Sequence, residues 1–321
     1  MESATPLLGD RSGLAERMDR DGYLYFDGVL EVEKVVRLRR AMLTALRDVG
    51  WIDPDSVLMR GRCAVRPVRE GSDEFFEAYD SIQRLEPFHE LAHDETLTAI
   101  MADVLGEGAF PHPLKIARLV FPAHFEISTP PHQDYPNNQG TESLTATWIP
   151  VGDLPSEMGG IAILRGSHRY GVLPLTTHAG AGNRCAMLPA EVLEECRWVT
   201  TDFSMGDVLL FPSQTVHAAR HNASEFWMRL SVDFRFQREG EALTKGCLEP
   251  HFERLGWDEI YDGWSAASHQ YYWHDLDYEV VPFEEFRLER PIDETTEAKE
   301  FLAYERRLDS RMASKLESPT R

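Results

Sequence analysis

No two of the four cysteines, Cys63, Cys185, Cys196 and Cys247, stand at C-x-x-C spacing, so neither a zinc knuckle nor a disulfide framework is encoded. Such thiols read as buried or incidental groups in a reducing cytosol. Basic residues are scarce as well: 33 lysines and arginines face 54 aspartates and glutamates, a formal charge of −21. A field of that sign repels phosphate backbones and anionic lipid, which argues against nucleic acid and membrane surfaces as partners. No apolar run approaches the roughly 20 residues of a membrane-spanning helix. The opening "MESATPLLGDRSG" lacks the basic and apolar regions of a signal peptide. Internal repeats and low-complexity tracts are missing too. These absences together lead to the expectation of a soluble, cytoplasmic protein.

What remains is a 321-residue chain, 42% hydrophobic and 10% aromatic, enough to bury a sizeable core. Its first hundred residues read as mostly helical. "EVEKVVRLRRAMLTALRDVG" (31–50) repeats apolar residues at three- and four-residue spacing, and "GYLYFDGVL" (22–30) before it alternates like a short strand. Residues 73–106 predict two further helices, broken near Pro87 and closed by Gly106. From about residue 113 the texture changes to short β-rich runs: "LKIARLVF", "SLTATWIPV", "GGIAILRG", "GDVLLFP", "TVHAAR" and "RLSVDFRFQ". Gly, Pro, Asn and Asp clusters divide them, which suggests a sandwich or barrel of the jelly-roll kind. After residue 245 the chain is irregular, acidic and aromatic, then ends in the charged helical stretch "TTEAKEFLAYERRLDSRMASKLE". The predicted organisation is one domain over 1–321. A helical flank covers 1–112, a jelly-roll core covers 113–240, and 241–321 forms a substrate lid with a C-terminal helix.

Chemistry concentrates in two places. In "TPPHQDYPNNQG", His132 and Asp134 are two residues apart and point the same way if the segment is extended. About one H-x-D triplet is expected by chance in a chain of this composition, and alone it reads as a surface hydrogen-bond pair. "GDVLLFPSQTVHAARHN" then delivers His217, and Arg229 follows at the head of "RLSVDFRFQ". In that run Arg229, Ser231, Asp233 and Arg235 share one face, with Leu230, Val232, Phe234 and Phe236 on the other. Two histidines and a carboxylate with open coordination positions make the facial triad of non-haem Fe(II) oxygenases. An arginine with a serine two residues on offers a fork and a hydroxyl to one carboxylate.

With "HQD", "GGIAILRGSH", "MGDVLLFPSQTVH" and "RLSVDFRFQ" in this order, the chain resembles the phytanoyl-CoA hydroxylase-like Fe(II)/2-oxoglutarate oxygenases over roughly residues 20–240. The resemblance implies a double-stranded β-helix, mainly β with helical flanks. It also implies iron held by His132, Asp134 and His217, 2-oxoglutarate as cosubstrate with its distal carboxylate on Arg229 and Ser231, and O2 as oxidant. Trp148 falls where family members often line the cosubstrate pocket. Halogenases of this kind replace the carboxylate by a small residue, so Asp134 implies hydroxylation or another C–H oxidation. The implied substrate is a small molecule, and because no basic cluster is present to bind coenzyme A phosphates, specialised metabolism fits better than acyl-CoA. The family's proline before G-S-H is Arg165 here, and the C-terminal aromatic segment has no counterpart.

Alternatives stay open at this level. His221 competes with His217 as third ligand, and family spacing favours His217. Arg235 could replace Arg229 or serve an ion pair. His168 reads as a turn residue, His112, His124 and His178 as satisfied surface or core histidines, and Lys115 as a solvated strand-face lysine. The same barrel could also be a cupin-like binding protein, or a metalloenzyme that uses no 2-oxoglutarate.

Overall fold

The computed structural model describes residues 1–122, 129–177 and 184–291. Its helical flank comprises α1 (Arg11–Asp21), strand β1 (Leu24–Phe26), α2 (Val32–Asp48), α3 (Asp73–Gln83), α4 (Glu86–Glu90) and α5 (Glu95–Leu105). The central part runs β2 (Ala109–Val120), β3 (Thr145–Pro150), β4 (Gly160–Arg165), β5 (Leu175–Thr177), β6 (Arg184–Ala186) and the short helix α6 (Ala190–Glu195). It continues with β7 (Arg197–Val199), β8 (Val208–Pro212), β9 (His217–Arg220) and β10 (Arg229–Arg238). Beyond them lie β11 (Ala242–Thr244), α7 (Trp257–Tyr261), β12 (Glu279–Val281) and β13 (Leu288–Pro291). The charged stretch at the C-terminus, for which a helix is predicted, lies outside the described residues.

A five-stranded antiparallel sheet, in the order β1-β8-β3-β10-β2, forms one wall. The other wall is built from β7-β4-β9 and β13-β5-β6. His132 joins these two pieces, bridging to Cys185 on one side and His217 on the other. This is the jelly-roll architecture expected from the short β-rich runs, each of which contributes a strand.

Side-chain alternation decides what each wall faces. The apolar face of β10, Leu230, Val232, Phe234 and Phe236, packs in one cluster with Val35, Leu38, Met42, Leu43 and Leu46 of α2. Full burial of such a side chain contributes about 1.5–3 kcal/mol, so the helical flank is fixed on the outside of the large sheet. Between the walls sits a second cluster, with Tyr25, Ala146, Trp148, Leu209 and Phe211 from the large sheet and Ile161, Ile163 and Phe203 from the opposite side.

The helical flank differs from the prediction in two respects. Residues 73–105 form three α-helices with a 3-10 turn at Leu91–His93, because Pro87 lies in the first turn of α4, where a missing N–H costs nothing. Helix α1 was not foreseen; Asp10 caps it by accepting from Gly13 N–H at 3.0 Å, and Gly22 ends it in the left-handed conformation. Arg165, the departure from the family's proline, docks this helix: its guanidinium meets the buried Asp21 at 2.7 Å.

Lys115 corrects the solvated reading, being only 2% exposed. The C-terminal aromatic segment covers it. Its Nζ donates to His112 O (3.3 Å), Pro113 O (3.4 Å) and Tyr272 Oη (3.3 Å), and no carboxylate pairs with it among the described residues. Burial pushes its ammonium pKa down to about 7. The folded value lies below the unfolded one, so above pH 7 the unfolded chain binds more protons and stability rises with pH. Relative to Lys115→Met, the wild type should gain about 2 kcal/mol between pH 7 and pH 9. Urea midpoints measured across that range check this, and parallel curves for the two proteins would contradict it.

Candidate active site

The segment before Asp134 runs antiparallel to β9. Residues 132 and 217 exchange both backbone hydrogen bonds, His132 N–H to His217 O and His217 N–H to His132 O, each 2.9 Å. Directly opposed residues of an antiparallel pair project to the same side, and the two imidazole centroids are 4.1 Å apart. Asp134, two residues on, points the same way and is fixed by its own N–H to Ser213 O at 2.9 Å. Ligand atoms of His132, Asp134 and His217 all lie within 4.8 Å of one another, and all three residues are buried.

Backbone carbonyls set the imidazole tautomers. His132 Nδ1 meets Pro130 O at 2.8 Å and His217 Nδ1 meets Thr215 O at 3.0 Å. A carbonyl only accepts, so each Nδ1 carries the proton and each Nε2 keeps its lone pair for a ligand. Burial pushes both imidazoles below their ordinary pKa, which keeps them neutral. Burial raises the Asp134 carboxyl, but the charge and hydrogen bonds of Arg235 act against it, and the group is held well below the usual carboxylate range. Two neutral nitrogen donors and an ionised carboxylate fit a divalent metal such as Fe(II).

The inner face of β10 carries the next residues. Arg229, 1% exposed, donates from Nη1 to Ser231 Oγ at 3.3 Å, and its Nε has no partner. The carboxylates on this face are engaged elsewhere: Asp233 with Arg118 (2.7 Å) and Asp134 with Arg235 (2.8 Å). Arg229 is therefore a buried guanidinium with no ion pair among the described residues, its pKa lowered by burial to about 10 and so still protonated near neutrality. Trp148 lies on the same inner face, in register with Asp233, and its ring packs on Phe203 with centroids 4.8 Å apart.

The competing histidines separate clearly. His221 lies beyond the end of β9, outside the three-residue group. His168 belongs to a turn and its Nε2 lies 3.0 Å from Asp19 O. His112 is a core histidine, 2.7 Å from Gln237 Oε1. His124 and His178 fall outside the described residues. Three participants were missed. Arg118 could have been found from the alternation Ile116, Arg118, Val120, which puts it on the inner face. Phe211, whose ring centroid is 4.5 Å from that of His217, lies within "MGDVLLFPSQTVH", where alternation puts it on the inner face with Leu209. His251 shares a 2.7 Å hydrogen bond with Tyr79, a pairing across the chain that local sequence does not signal.

Compared with known proteins, residues 18–231 match the model of the phytanoyl-CoA dioxygenase (PhyH) family. The chain is 28% identical over 259 residues to a 1-deoxypentalenic acid 11-beta-hydroxylase of Streptomyces exfoliatus, covering 77% of this chain and 88% of that protein. A protein of the same name from Streptomyces arenae is 27% identical over 262 residues. In fold, the chain is similar to the epimerase SnoN, crystallised with Fe3+, alpha ketoglutarate and nogalamycin RO. That likeness has 21% identity and a TM-score of 0.53, covering 73% of this chain and 86% of SnoN. It is also similar to the carbocyclase SnoK from nogalamycin biosynthesis, with 19% identity and a TM-score of 0.51 over 76% of this chain and 90% of SnoK.

The choice between His217 and His221 has a direct check. Mn(II) should raise the melting temperature of wild type and of His221→Ala by the same amount and leave that of His217→Ala unmoved. A shift lost in His221→Ala and kept in His217→Ala would reverse the assignment.

Proposed function

The chain belongs to the phytanoyl-CoA dioxygenase family of Fe(II)/2-oxoglutarate-dependent oxygenases, and from that premise we propose that it oxidises a C–H bond of a small molecule in specialised metabolism. In this reading His132, Asp134 and His217 are the metal ligands, and Arg229 with Ser231 anchors 2-oxoglutarate. The observation that supports it most is the 132–217 backbone pairing, which gathers two neutral imidazoles and a carboxylate within 4.8 Å. A ferrous ion held there, with 2-oxoglutarate and O2, supplies the oxidising power for C–H cleavage, and 2-oxoglutarate leaves as succinate and CO2.

The protein's own residues bind, orient and exclude water. The Nε2 atoms of both histidines offer lone pairs, and Asp134 supplies the anionic ligand. Arg229 is a desolvated cation with no acidic partner among the described residues, the arrangement that gains most from the distal carboxylate of a dicarboxylate. Phe211, Trp148 and Phe203 form an apolar layer beside the triad, which limits water at the reacting centre. Trp148 is placed by this reading as a wall of the cosubstrate pocket.

Hydroxylation is the outcome we propose, in keeping with the Streptomyces relatives, which are named for hydroxylating 1-deoxypentalenic acid. A free small molecule, polar or amine-bearing, suits this acidic chain better than a coenzyme A thioester, for which no basic cluster is present. We assign the segment after the core, in a domain arranged as 1–112, 113–240 and 241–321, to closing over the substrate. Contacts with the loop after Asp134 support this: Gln139 Nε2 donates to Glu284 O, and Glu284 N–H donates to Gln139 Oε1, each 2.8 Å. A cytoplasmic setting, with no nucleic-acid or membrane partner, agrees with the charge of −21 and the four free thiols. Among the described residues no helix is long and apolar enough to cross a membrane.

The test is consumption of 2-oxoglutarate. Loss of a charge-assisted bond worth about 1.5–3 kcal/mol should raise KM for 2-oxoglutarate roughly 10- to 100-fold in Arg229→Ala, and an unchanged KM would remove Arg229 from the cosubstrate site. For the substrate class, free small molecules should stimulate succinate release more than their coenzyme A thioesters do. Faster turnover of the thioesters would overturn that assignment.

A further inference from the structure

Arg235 takes no part in the function just proposed, yet it is the side chain that grips the buried Asp134. Its Nη2 donates to Asp134 Oδ1 at 2.8 Å and its Nε to Oδ2 at 3.2 Å, a two-pronged contact between groups that are almost entirely enclosed. Strand β10 delivers it there by simple alternation, on the face it shares with Arg229, Ser231 and Asp233. The pairing of Arg235 with Ala146 of β3 is in unbroken register, and the extra residues of the irregularity opposite Phe234–Phe236 lie on β2.

A second set of charges holds the guanidinium from behind. Arg235 Nη1 lies 4.0 Å from Asp233 Oδ2, and that oxygen accepts from Arg118 Nε at 2.7 Å. Arg118, Asp233, Arg235 and Asp134 thus form a row of alternating sign across the barrel interior, ending at the metal-binding carboxylate.

We infer that Arg235 is a positioning residue for Asp134, holding the carboxylate plane and its Oδ1 beside His217 before any metal arrives. This rests on the proposed role of Asp134 as a metal ligand. The fork engages one lone pair of each oxygen and leaves others free to coordinate. Oδ1, which accepts the shorter bond, is also the oxygen 3.9 Å from His217 Nε2. An ion pair enclosed this completely gives little net stability compared with apolar residues of the same volume, so orientation of a ligand accounts for it better than fold stability does. A lysine at this position would keep the charge and lose the planar fork.

Mn(II) binding, followed through the electron paramagnetic resonance signal of the free ion, tests this without turnover. Arg235→Gln should weaken binding about 10- to 100-fold, the usual effect of removing a group that orients a ligand. Arg235→Lys should fall between that variant and wild type, with near-ultraviolet circular dichroism unchanged. Should Arg235→Gln fail to fold, Arg235→Lys alone decides. The anaerobic Fe(II)–2-oxoglutarate absorption band should also move in Arg235→Lys, a change that a purely structural ion pair would not cause. Wild-type Mn(II) affinity in the variants that fold overturns the inference while leaving the metal site intact. A wild-type protein that binds no Mn(II) overturns the metal-site reading itself, and the inference with it.

Discussion

Everything at this site depends on one pair of backbone hydrogen bonds. Residues 132 and 217 are 85 positions apart in sequence, and the exchange of N–H and C=O between them puts the two imidazoles on one side at a centroid separation of 4.1 Å. The remaining strands of the smaller wall serve this contact. Ile163 of β4 pairs with His217 from the far side, and Cys185 pairs with His132. Close approach is needed where β4 begins: Gly159 has φ of +84°, and a Cβ there would lie 2.5 Å from His221 O. Only glycine accepts both conditions, which gives the first glycine of "GGIAILRG" a physical reason.

The barrel interior is a second consequence of strand alternation. One face of β10 carries the apolar side chains that anchor the helical flank, and the other carries Arg229, Ser231, Asp233 and Arg235 into the space between the walls. Burying so many charges is unfavourable unless each is compensated. Asp134, Asp233, Arg118 and Arg235 compensate one another, and Arg229 is left without an ion pair among the described residues.

How much of this the sequence carried follows from the range of the interactions involved. Alternation in "RLSVDFRFQ" and the i, i+2 spacing of His132 and Asp134 are local, and both correctly assigned faces before any fold was known. The spacing from His217 to Arg229 reflects a strand–turn–strand unit, again local enough to recognise. Lys115 was misread because what buries it, Tyr272, lies 157 residues away. The grip of Arg235 on Asp134 is hidden from the sequence for the same reason, since the two residues lie 101 positions apart. Pro87 marks a helix break by residue preference alone, although at the first turn of a helix it is an initiator. Pairings across the chain, and not residue preferences, were the missing information.

Binding of Fe(II) and 2-oxoglutarate together at one buried site is the property on which the proposed function turns. The most direct measurement is anaerobic: Fe(II) and then 2-oxoglutarate are added to the purified protein, and the visible region is followed for a metal-to-ligand charge-transfer band. A band is expected only when both are present, and His217→Ala should abolish it. Bound Fe(II) with no band on adding 2-oxoglutarate would contradict this, and would make this barrel a metal site of another kind.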